Sequence, residues 1–264
     1  MNKKFISDIL KKFGLYKPIR KIYNSIFRYN KQTEIIVSGQ NIKFWTPTFY
    51  LDDYVKDFAG EKELVEKFLP RLKDKNTLWD IGANIGFYSI LAAKEMSSKS
   101  KVIAFEPEKD TFNLLKKNIE LNQVKNITAY EFALGDTKGK QLIYSSDTPN
   151  FGAHSFVQRT DFLLKKQGTE IKIKTADSLI EESKVDIPDV IKIDVEGAEI
   201  LVLRGMKKLL KNPDLKIILC EVHSNLLPLF NSSEEEVKEI ILNENFKIDY
   251  TVNRGTQFQY IFVR

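Results

Sequence analysis

From Thr77 onward, short apolar runs alternate with stretches in which apolar side chains recur every three or four positions. The first kind reads as buried strands and the second as amphipathic helices. TLWDI at 77–81, KVIAFE at 101–106, NITAYEF at 126–132, DVIKIDV at 189–195 and LKIILCEV at 215–222 are the predicted strands. Helices are expected at about 85–96, about 108–121, after the fourth strand to about Leu210, and near 234–243. The chain closes with FKIDYTV at 246–252, a turn at Arg254-Gly255, and QFQYIFV at 257–263. So short a link forces that last pair to be antiparallel, because a parallel crossover needs about a dozen residues. Strand–helix alternation places helices on both faces of a parallel sheet. The expected fold is therefore α/β, with a mostly parallel seven-stranded sheet and an antiparallel final hairpin.

Ahead of this domain, residues 34–46 read as a hairpin turning at Gly39-Gln40, and residues 47–76 as loop and helix with Leu64, Phe68 and Leu69 on one face. An insert spans about 137–188, with strands expected at 139–144 and 170–175. Three units result: a basic segment 1–31, a hairpin-and-helix extension 32–76, and the domain 77–264. The basic segment carries Leu15, Ile19, Ile22 and Ile26 at helical spacing. Its nine lysines and arginines face one acid, Asp8. It thus holds +8 of a chain whose net charge is +5, which leaves −3 for the remainder. A basic amphipathic helix either packs its stripe on the domain or lies on an anionic membrane surface. Basic charge confined to an arm is not the footprint of a nucleic-acid binder, so no nucleic-acid partner is expected. The single cysteine, Cys220, excludes a disulfide framework. No run is long enough to span a membrane, and no secretory signal follows the start. The expectation is a cytoplasmic protein, with residues 1–31 available to the inner membrane face.

The chemistry gathers where the strands end. DIGANIG at 80–86 places Asp80, Gly82, Asn84 and Gly86 in the first strand–helix turn. Ligands of open α/β sheets bind at this carboxyl edge, and glycine lets the backbone come close to them. The spacing is neither G-x-G-x-x-G nor a P-loop, and a carboxylate without a nearby lysine disfavours phosphate. Glu106 ends the second strand, 24 residues after Gly82, where a carboxylate can accept both ribose hydroxyls. Ribose recognition, tolerance of a cation and no phosphate cradle together describe S-adenosylmethionine. DIGANIGFYS, VIAFEPE, LKKNIELN, ALGD, VIKIDVEGAEILVLRG and CEVH, in that order, resemble the FkbM-type methyltransferases. The resemblance covers about residues 77–223 and implies the Rossmann-like class I methyltransferase fold. In TADSL at 175–179, Ala176 stands where the family pattern has leucine. The resemblance also implies O-methylation of a sugar, glycan or other small hydroxyl-bearing metabolite. Asp80, Gly82, Asn84 and Gly86 would line the methionine end of the cofactor and Glu106 would hold the ribose. Ala133 and Leu134, with Asp136 behind them, would border the adenine.

Asp194 and Glu196 end the fourth strand and share a side while the chain stays extended. An acid inside an apolar strand needs a partner, and Lys192 has the right parity. Glu199, one turn into the next helix, is explained by the helix dipole alone. Glu221 and His223 end the fifth strand. Of the two histidines, His154 lies in the insert and His223 lies where an acceptor would sit. A hydroxyl needs a base, and a neutral imidazole suits the task near pH 7. His223 is thus the first candidate, oriented by Glu221 or Glu196, with Asp194 the alternative base. Asp194, Glu196, Glu221 and His223 would also suit a metal, but methyl transfer requires none, and no metal is expected. Two other readings remain: a nucleic-acid methyltransferase, which should carry an aromatic-flanked Asn/Asp-Pro-Pro-Tyr/Phe segment, and a non-catalytic cofactor-binding scaffold.

Overall fold

The computed structural model of the protein describes residues 31–145, 154–155 and 168–264. The stripe at Leu15–Ile26 and most of the segment around His154 lie outside the described residues. Strands β1 (Lys31–Val37) and β2 (Gln40–Thr46) form an antiparallel hairpin in which Val37 pairs with Gln40. The turn is Ser38-Gly39, one residue earlier than expected, because both central residues take positive φ (49° and 74°). That is the backbone a two-residue hairpin requires. Helices α1 (Phe49–Lys56) and α2 (Lys62–Phe68) follow.

The main sheet is built from β3 (Thr77–Ile81), β4 (Lys101–Phe105), β5 (Ile127–Tyr130), β10 (Val190–Ile193), β11 (Ile217–His223), β12 (Lys247–Asn253) and β13 (Gln257–Val263). Their spatial order is β12-β13-β11-β10-β3-β4-β5. Only β13 runs against its neighbours, slotted between β11 and β12. Helix α3 (Phe87–Glu95) follows β3 and α4 (Lys109–Leu121) follows β4. The expected single helix after β10 is two, α6 (Glu199–Arg204) and α7 (Lys207–Lys211), with Gly205 at the break. Helix α8 (Glu234–Leu242) precedes β12. The insert does not join this sheet. Its strands β7 (Gly139–Ser145), β8 (His154–Ser155) and β9 (Thr169–Lys174), with β6 (Ala133–Leu134), make a separate four-stranded sheet; helix α5 (Ala176–Glu181) follows β9.

Alternation along the buried strands sorts the core into two layers. Trp79, Ile81, Phe105 and Ile193 pack under α6–α8 on one face. Leu78, Val102, Val190 and Leu219 pack on the other face with α3 and with Ile42, Phe44, Leu51 and Phe68 of the N-terminal extension. Asn118 and Asn122 of α4 lock the extension in place. Asn118 Oδ1 accepts the Trp45 N–H at 2.7 Å, and Asn122 accepts from Lys43 N and donates to Lys43 O. The hairpin is thereby fixed against α4, while Asn76 bonds Asp189 at the amino edge of the sheet. Among the described residues, no helix is long and apolar enough to cross a membrane.

Candidate active site

The sheet order reverses at β3, where β4 leaves on one side and β10 on the other, and a cleft opens between their ends as such a switch point dictates. Gly82, Asn84, Glu106, Ala133, Leu134, Asp194 and Glu196 line it, with Phe105, Pro107, Val195 and Ile143 completing the wall. Ile143 comes from the insert and carries no polar signal by which its sequence could mark it. Gly82 has φ of 78°, and a Cβ there would fall 1.8 Å from the Asp194 carbonyl oxygen. Its necessity is thus the close approach of two strand ends. Gly86 and Asp80 do not reach the cleft. Gly86 caps α3, where a Cβ would meet Leu115 of α4 at 2.5 Å. Asp80 is fully buried beneath the loop, accepting the Ser89 hydroxyl at 2.5 Å and facing Lys192 Nζ at 3.5 Å. Asp136 is exposed and lies off the cleft.

Glu106 is 4% exposed and accepts the N–H groups of Asn84 and Glu108, each at 2.9 Å. Burial pushes its carboxyl up to about 7 against the opposing pull of those two N–H groups. Each oxygen keeps a further lone pair for a hydroxyl. The buried Oδ1 of Asn84 has no partner among the described residues, although its residue lines the cleft. An orphaned acceptor there fits a ligand bearing hydroxyl or amino donors, as S-adenosylmethionine does.

The other wall carries the acids. Asp194 lies past the end of β10, and Glu196 takes φ of 51°, so the chain turns and strand parity is not what brings the two together. Lys192 is the partner of Asp194, at 3.2 Å, and also donates to Gly82 O at 3.1 Å. Burial lowers the Lys192 pKa, but Asp194 and Asp80 outweigh it and hold the ammonium charged. His223 is 2% exposed. Its Nδ1 bonds Glu199 Oε1 at 2.7 Å, and its Nε2 lies 3.5 Å from Glu196 and 3.8 Å from Glu221. Burial opposes the imidazolium, yet the hydrogen bond and charge of Glu199, with Glu196 and Asp194, raise the pKa to about 10. A neutral imidazole near pH 7 is therefore not what this environment holds, and the histidine's orienting acid is Glu199. That residue is fully buried, accepts the Gly197 N–H at 2.9 Å and does far more than offset a dipole.

Glu221 extends the network to residues that no local motif marks. Gln259 Nε2 donates to Glu221 Oε2 at 3.1 Å and to Glu61 Oε1 at 2.7 Å. Tyr88 donates to Glu61 Oε2 at 2.5 Å. Burial, then the charges of Asp194 and Glu61, push the Glu221 carboxyl up to about 9. Asp194, Glu221 and His223 bring ligand atoms within 4.8 Å of one another, a donor set able to hold a divalent cation. In this geometry Lys192 already pairs with Asp194, and His223 Nε2 lies 3.8 Å from Glu221.

A parallel sheet with one antiparallel strand between its fifth and sixth members, and a cleft at its switch point, is the fold of the class I S-adenosylmethionine-dependent methyltransferases. Residues 80–248 match the FkbM methyltransferase domain, and the chain belongs to that family. It is 28% identical over 224 residues to the hexuronic acid methyltransferase AglP of Haloferax volcanii, covering 84% of this chain and 85% of that protein. It is also 28% identical over 148 residues to methyltransferase 1 of Beauveria bassiana, covering 50% and 59%. A solved FkbM methyltransferase from Methylobacillus flagellatus aligns at 18% identity over 72% of this chain and 44% of that one, with a TM-score of 0.46.

Proposed function

We propose that the protein methylates a hydroxyl on a sugar, with Asp194 taking the hydroxyl proton. One observation carries the reading: Asp194 belongs both to the wall of the cofactor cleft and to the buried acid network on its acceptor side. When bound, S-adenosylmethionine supplies a methyl group on a sulfonium that leaves with the electron pair. Gly82, Asn84, Glu106, Ala133 and Leu134 hold it. Lys192 orients the Asp194 carboxylate, and an acceptor oxygen aligned about 3 Å from the methyl would pass its proton there. His223, held charged by Glu199, balances the surrounding carboxylates and has no lone pair with which to act as the base at pH 7. Glu196 and Glu221 flank the acceptor, and a small-molecule or glycan acceptor met in the cytoplasm is part of the same reading. The archaeal relative named for hexuronic acid supports a sugar acceptor. Incubation with methyl-tritiated S-adenosylmethionine and a panel of hexuronosides, neutral glycosides and tRNA tests it. Label should enter a glycoside as a base-stable methyl ether, whereas label in tRNA, or in none of them, would count against the proposal.

A further inference from the structure

A second cleft opens on the acceptor side, between α1 and the turn joining β12 to β13, with a volume of about 580 Å³. That lies inside the roughly 300–1,000 Å³ typical of small-ligand sites. Tyr50 and Tyr54, with ring centroids 6.2 Å apart, form its apolar wall, and Asp53, Asp57, Lys56 and Arg254 supply the polar groups. A chain of side-chain bonds links it to the acid network. Arg254 Nη1 bonds Glu61, which Gln259 ties to Glu221.

Arg254 is the cation of this cleft with bonding capacity to spare. Its backbone is fixed, because its N–H donates to Gln257 O at 2.8 Å and Asn253 Oδ1 accepts the Gly255 N–H at 2.8 Å. The residue is exposed, its side chain at 32%, and it spends one nitrogen, Nη1, on Glu61 Oε1 at 3.3 Å. Nη2 rests against Gly60, where a Cβ would come within 2.6 Å of it, so any larger residue at 60 would displace the guanidinium. Among the described residues, neither Nη2 nor Nε meets a hydrogen-bond acceptor. Lys56 differs, since it is paired with Asp52 at 2.7 Å. A half-used planar fork beside two aromatic rings matches a carboxylate joined to a pyranose ring. Asp53 and Asp57 match the ring's hydroxyls, and the tyrosines its C–H face.

We propose that Arg254 selects the acceptor by binding the carboxylate of an acidic sugar, so that the second cleft is a uronate subsite. The proposal rests on the sugar-methylating reading above. Binding can nevertheless be tested without turnover. Methyl glycosides of glucuronic, galacturonic and mannuronic acid, and their neutral hexose counterparts, are titrated calorimetrically into full-length protein saturated with S-adenosylhomocysteine. Wild type should bind at least one uronoside roughly 10–100-fold more tightly than its neutral partner, the scale of a charge-assisted hydrogen-bond pair. Arg254→Met should bring that ratio close to one, and Arg254→Lys should restore only part of it, because a point charge lacks the fork. Cofactor binding by each variant reports that it is folded. No preference for any uronoside in wild type, or an equal loss for both members of a pair in Arg254→Met, would overturn the assignment and leave Arg254 as the counter-ion of Glu61. A uronoside that binds through Arg254 but is never methylated would sustain the subsite and remove the sugar-methylating reading instead.

Discussion

Burial holds the Glu106 carboxyl at about 7, so near neutrality it is divided between a form that accepts two hydroxyls and one that does not. Ribose hydroxyls are donors, and the ionised form is the one they favour. Affinity for S-adenosylmethionine should therefore rise as pH climbs through 7 and level off above about 8. Glu106→Ala should weaken binding at pH 8 by about 1.5–3 kcal/mol and remove most of that pH dependence. Titration calorimetry across this range reads both effects, and unchanged affinity in a folded variant would dismiss the ribose role. The place of Glu106 in the wall of the cleft was legible from its distance to the glycine loop. Glu199 was not, because a first-turn acid is so well explained by the helix dipole that its pairing with His223 leaves no separate mark. The acids around His223 favour its charged form over the expected neutral one, for a related reason. Its position at a strand end could be read from the sequence, but the convergence of Glu196, Glu199 and Asp194 on it depends on a turn at Glu196 that the apolar pattern does not encode.

The junction of β3 with β10 is the structural element on which the site depends. Lys192 spans it, touching Asp194 and the Gly82 carbonyl, and Gly82 allows the two strand ends to approach. Gly82→Ala must relieve a 1.8 Å contact with backbone while occupying a positive φ. Stability should fall by more than about 2 kcal/mol, read as a lower urea midpoint, and cofactor affinity should fall with it. A variant as stable as wild type would mean that the strand ends can separate freely. The strands themselves were readable because each is an apolar run bounded by polar turns. Helix α1 was not separated from the loop within residues 47–76, because its eight residues span little more than two turns.

At the scale of the whole molecule, the acceptor side is assembled from distant parts of the chain. Glu61 and Gln259, 198 residues apart, meet across Glu221 because the extension packs on the same sheet face as α3. Local spacing can suggest a cofactor side, whose residues follow one another along strand ends. It could not reveal a partnership between the N-terminal extension and the final hairpin. Both sides converge on Asp194, so that residue offers the most direct test. The kcat of Asp194→Asn should be measured against wild type with the acceptor that the labelling panel identifies, alongside S-adenosylmethionine affinity for both proteins. The account predicts a kcat lower by about 10²–10⁴-fold, the usual cost of losing a general base, with cofactor affinity changed by less than about tenfold. An Asp194→Asn enzyme that binds cofactor and turns over at nearly the wild-type rate would contradict it.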